Sequence, residues 1–208
     1  MINLICEQLK VRLAALPYAD KTAGLVKIAV RRIEGESEDG TKYLLQEQRF
    51  PIAANVNGAE CWRSGTYKDL APNTSLKSVT YFEQVSPETI TPETKPFTGT
   101  SVKLRLVGWF NLKKLGVTGE LPPQIKYEIM SLLQNSLTVT IGARTENVRL
   151  NVNQVITDPS VFAKYSYEKA IIENMLLYPY SYFAIDFTAT WLLQPNCYTF
   201  TPLTEIAC

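Results

Sequence analysis

Apolar residues recur at Ile2, Ile5, Leu9, Leu13 and Leu16, at spacings of three and four. That spacing predicts an amphipathic helix from Ile2 to Leu16, ended by Pro17. The period then changes. Gly24 to Ile33 is rich in β-branched residues and predicts a strand. Lys42 to Ile52 predicts its hairpin partner, stopping near Pro51 because proline cannot donate to a ladder. Between them lies Asp39-Gly40, a hairpin-turn dipeptide. Residues 53–75 carry Gly58, Gly65 and Pro72, with Cys61 and Trp62 as apolar exceptions, and predict loop or short irregular strands. Leu76 to Val85 predicts a further strand.

The run Ser86 to Pro96 contains three prolines and three threonines. Such a run holds neither a helix nor an interior strand, so residues 86–100 are expected to form an extended loop or arm. As an arm it would set Pro87, Ile90, Pro92, Pro96 and Phe97 against a neighbouring chain; as a surface loop it would touch none.

Beyond it, Val102, Leu104 and Leu106 alternate with Lys103 and Arg105, the pattern of a half-buried strand. Trp109 and Phe110 are expected in the core or on a packed sheet face. Leu121-Pro122-Pro123-Gln124 opens a helix with proline in its first turn, and Ile125, Ile129, Leu132 and Leu133 form its apolar face. Leu137–Ile141 and Val148–Ile156 predict two strands, with Gly142–Asn147 as the hairpin loop. Asp158-Pro159 starts a helix expected to reach about Leu177, with Val161, Phe162, Tyr165, Ile172 and Leu176 among its apolar members and Tyr178-Pro179 closing it. Finally Phe183, Ile185, Phe187, Ala189 and Trp191 alternate strictly with polar or small neighbours, the clearest strand signal in the chain. Helices set among hairpins without regular βα alternation predict an α+β fold, a mainly antiparallel sheet with about three helices packed on it. At 208 residues this fits a single domain over 1–208.

Composition narrows the function classes. Apolar residues are 46% and charged residues 20% of the chain, enough to build a core. The formal charge is +1, so no global field draws the chain to nucleic acid or an anionic membrane. Met1 to Lys10 lacks the basic start and apolar run of a signal peptide, which predicts synthesis that ends in a cytoplasm. Phe183 to Leu193 is too short to span a bilayer and contains Asp186, so no membrane association is expected. Cys6, Cys61, Cys197 and Cys208 are dispersed without a CxxC pair and are read as structural thiols.

There is no histidine in the sequence. This removes the usual general base near neutral pH, the base of Ser-His and Cys-His nucleophiles, and the commonest transition-metal ligand. The densest acidic group, Glu34-Gly35-Glu36-Ser37-Glu38-Asp39-Gly40, could be a divalent-cation loop, but it does not match EF-hand spacing and sits where a solvated hairpin turn belongs. Neither GxGxxG nor GxxxxGK[ST] occurs. No catalytic, cofactor-binding or metal-binding residues are assigned, no cofactor is expected, and the chain is read as not an enzyme.

Three segments together carry a resemblance. The opening helix ending in Leu16-Pro17-Tyr18-Ala19-Asp20-Lys21, the hairpin after Gly24 and the closing strand Phe183 to Leu193 resemble the layout of tail-terminator and tail-completion proteins of long-tailed bacteriophages. Val107-Gly108-Trp109-Phe110-Asn111-Leu112 followed by a late helix is similar to sequences from phages and prophages. The resemblance implies a virion protein of the neck or tail: a homo-oligomeric ring, commonly sixfold, that joins the tail tube to the head connector, with DNA near its lumen. The chain departs from it in length, with residues 53–100 resembling an insertion. Two other classes fit the composition, a protein-binding module of a mobile element or host cell and an enzyme using carboxylates or lysine.

Overall fold

The computed structural model describes residues 1–54, 62–63, 66–67, 70–72, 74–92, 98–141, 144–165 and 177–193. Helix α1 is Ile2–Ala14; its buried stripe holds Ile2, Ile5, Leu9 and Leu13 as the spacing predicts, adds Cys6, and ends before the predicted Leu16. Strands β1 (Lys21–Glu36) and β2 (Lys42–Ala53) form the expected hairpin, closed by a turn in which Gly40 takes a positive φ of 81°. Two-residue strands β3 (Trp62–Arg63) and β4 (Thr66–Tyr67) pair with each other. Then come β5 (Ser78–Gln84), β6 (Thr89–Pro92), β7 (Thr98–Asn111), α2 (Pro123–Gln134), β8 (Leu137–Ile141), β9 (Arg144–Ile156), a 3-10 turn (Pro159–Phe162) and β10 (Tyr180–Leu193).

Eight strands make one sheet in the order β2-β1-β5-β7-β10-β9-β8, with β6 pairing β7 beyond the end of β5. Only β1 and β5 run parallel. The spine is the ladder of β7 against β10, unbroken from Thr98↔Leu193 to Asn111↔Tyr180. Its alternation sorts the two faces. Leu104, Leu106, Phe110, Phe183, Ile185, Phe187 and Trp191 join α1 and α2 in one core, whereas Val107, Trp109 and Ala184 join Phe50, Leu70, Val79, Tyr81 and Phe162 in another on the opposite face. The opening helix and the closing strand thus share a core, because each presents an apolar face that water does not tolerate. The stretch from Tyr18 to Asp20 is tied to β5 by hydrogen bonds: Ser78 Oγ donates to the Tyr18 carbonyl at 2.9 Å, and the Lys77 N–H donates to Asp20 Oδ2 at 2.9 Å.

The architecture is α+β and mostly antiparallel, with two α-helices among the described residues rather than about three. At the expected third helix, Asp158 does act as an N-cap, accepting from the Ser160 N–H at 2.7 Å, but the described chain makes a 3-10 turn there and residues 166–176 lie outside the described residues. Two boundaries also differ. β2 runs through Pro51 to Ala53, which its edge position permits since no further strand needs the missing N–H. The loop predicted at Gly142–Asn147 shortens to two residues, because β8 and β9 pair down to Ile141↔Arg144.

The expectation of a loop or arm at 86–100 is corrected more substantially. Thr89–Pro92 is strand β6, paired antiparallel with Thr98–Ser101 at the start of β7. Thr89, Ile90 and Thr91 supply β-branched character, and an edge strand pairs on one side only, so the flanking prolines cost no ladder bond. The Lys103 N–H also donates to Ser86 Oγ at 3.3 Å.

Candidate functional site

Of the five residues predicted to contact a partner, three lie within the described residues. Pro87 is exposed before β6, Ile90 is 67% exposed on β6, and Pro92 is the β6 residue opposite Thr98. Pro96 and Phe97 lie outside the described residues. Three other features emerge from the packing.

The first is a two-stranded ribbon. The pairing of β1 with β5 ends at Leu25↔Phe82, yet β1 continues to Glu36 with β2 as its sole neighbour in the sheet among the described residues. The residues nearest the sheet, Ala29, Phe50 and Ile52, are buried. From Arg31 outward the ribbon extends roughly 20 Å at the usual strand rise. Tyr43, Leu44 and Leu45 are each about half exposed on it. Leu45 is the extra residue of a bulge, since Ile33 pairs with Gln46 and Glu34 with Leu44. The Tyr43 ring lies across Gly35, where a Cβ would come within 2.7 Å of Cζ. At the tip, the Gly40 N–H donates to the Ser37 carbonyl at 2.9 Å, and both the Ser37 hydroxyl and the Thr41 N–H donate to Asp39. Those bonds hold the exposed Asp39 carboxyl down at about 2, so it stays ionised. The run Tyr43-Leu44-Leu45 was the sequence signal for this surface: three consecutive apolar residues cannot all face one core from a strand.

The second is a polar row across four strands. Glu83 of β5, Arg105 of β7 and Asp186 of β10 stand opposite one another in the ladders, with Gln154 of β9 next in line. Arg105 grips Asp186 with Nε to Oδ1 at 2.6 Å and Nη2 to Oδ2 at 3.0 Å, and Gln154 Nε2 donates to Oδ2 at 2.9 Å. Burial alone would raise the Asp186 carboxyl, but Arg105 and Gln154 together hold it below its usual range. The buried Glu83 accepts from the Tyr165 hydroxyl and pairs with Lys164. Two carboxylates are thus committed to two cations: Asp186 cross-links neighbouring strands, and Glu83 fastens the segment after the 3-10 turn onto the sheet.

The third is a groove of about 850 Å³ at the far end of the spine. The β10–β9 ladder ends at Thr190↔Arg149, although β10 runs on to Leu193 and β9 begins at Arg144. The opening is lined by Thr91, Thr100, Asn147, Arg149, Trp191 and Leu192 among others. Thr100 and Trp191 are direct cross-strand partners, 2% and 4% exposed, and among the described residues neither the Thr100 hydroxyl nor the Trp191 Nε1–H has a hydrogen-bond partner. Both atoms are closed off from solvent, and the Trp191 ring belongs to the core under the helices, so the pair is a cost of about 1–3 kcal/mol borne by the packing. Arg149 lines the groove without a carboxylate partner among the described residues. Arg12 adds a second guanidinium nearby, donating from Nη2 to the carbonyl of the lining residue Ser136 at 3.3 Å. Among the described residues the wall has no carboxylate.

Cys6 is buried in the core, where burial, reinforced by Glu7, pushes its thiol up to about 12. The other three cysteines lie outside the described residues. No group of three metal-ligating side chains occurs among the described residues, and no helix there is long and apolar enough to cross a membrane. No family model, curated protein or solved structure matches the chain.

Proposed function

We propose that the chain is a structural subunit of a phage head–tail neck or tail, a ring-forming protein like the tail terminators, joining the tail tube to the head connector. The observation that carries this reading is the ribbon beyond Leu25, which exposes Tyr43, Leu44 and Leu45 on two strands with no third element beside them in the sheet among the described residues. A two-stranded ribbon is marginally stable in water by itself, and an exposed apolar edge invites pairing with another chain. The polar row supports the same reading, because its charges are spent on holding the fold together. A subunit of this kind works by shape, and the resemblance in the opening helix, the hairpin and the closing strand supplies the kind of assembly.

Co-expression with the products of the neighbouring genes, followed by negative-stain imaging, tests the reading. Rings of one diameter, free or seated on tubes or connectors, are expected. A chain that stays monomeric with every neighbour and is missing from purified tails would overturn it.

A further inference from the structure

The ribbon and the groove are complementary in charge and in apolar character, and they lie on different parts of the sheet, with β5 between the strands that form them. The ribbon ends in Glu34, Glu36, Glu38 and Asp39. Asp39 is spent on the turn, whereas Glu36 and Glu38 are exposed and have no cation partner among the described residues. The groove offers the Arg149 guanidinium and hydroxyls, with the exposed apolar Leu192 in its wall and the Arg12 guanidinium beside it on the carbonyl of the lining residue Ser136. Behind the acidic tip stand Tyr43, Leu44 and Leu45.

We infer that the groove receives the hairpin tip of a second copy of this chain, with Glu36 and Glu38 meeting Arg149 and Arg12, and Leu44 and Leu45 covering Leu192. The inference rests on the ring reading above and names the contact that builds the ring. Because tip and groove are different surfaces, the contact is heterologous, and a heterologous contact closes into a ring when its rotation allows. The turn is already fixed by the bonds among Ser37, Asp39, Gly40 and Thr41, so little order is lost when it docks. Charge complementarity then fixes register more than affinity, and the apolar residues behind the tip supply buried area.

Sedimentation velocity on the full chain tests the contact with Glu38→Lys, Arg149→Glu and both together. Each charge reversal alone is expected to weaken self-association by roughly tenfold or more, and the pair to restore most of it. Both charge sites are exposed, so the variants should fold, and circular dichroism checks this. If rings form and neither reversal matters, or if the combined variant is no better than the singles, the contact is wrong while the ring reading stands. A wild-type chain that is monomeric at every concentration would overturn both.

Discussion

Arg105 holds Asp186 through two parallel hydrogen bonds, from directly opposite positions on the two longest-paired strands of the sheet. Both side chains are largely withdrawn from water, so removing one strands the other. Arg105→Leu or Asp186→Leu alone should cost about 2–4 kcal/mol in urea unfolding, while the double replacement should cost clearly less than the sum of the two. Additive losses would show that the pair is not coupled.

The same pair gives the protein an acid limb. The folded Asp186 carboxyl sits below its ordinary range, so the unfolded chain binds the proton more readily. Its contribution is fully present above about pH 4, the unfolded value, and is lost as pH falls through the lower folded one. Stability measured by chemical denaturation should therefore drop below about pH 4, and Asp186→Asn, though less stable at neutral pH, should show a shallower drop. An unchanged slope in that variant would assign the acid limb to other carboxylates.

Phe187 is fully buried and meets Phe82 edge to face, with ring centroids 6.1 Å apart and planes at 81°. Phe187→Ala should destabilise by about 3–5 kcal/mol, and Phe187→Asp should abolish soluble expression, since nothing there can pair a carboxylate. A Phe187→Asp protein as stable as its parent would mean that β10 does not cross the core.

These examples mark where the sequence was legible. The alternation from Phe183 to Trp191 fixes which side chains face the helices because a strand has a period of two, and every one of those five residues is buried. The stripe of α1 was legible for the same local reason. Two features were not. The polar row joins Glu83, Arg105, Gln154 and Asp186, which only strand register brings together. The groove exists because one ladder stops at Thr190↔Arg149 while its strands run on, and no local pattern announces where a ladder between residues 41 apart will end. β6 was missed because its prolines argue against an interior strand and leave an edge strand allowed.

The central claim is that this chain builds a closed ring of identical subunits, and native mass spectrometry of the purified full chain across a range of concentrations tests it most directly. A single dominant species at one integer multiple of 23.4 kDa, persisting on dilution, is the predicted result. A monomer at all concentrations, or an open ladder of masses that grows without limit as concentration rises, would contradict it.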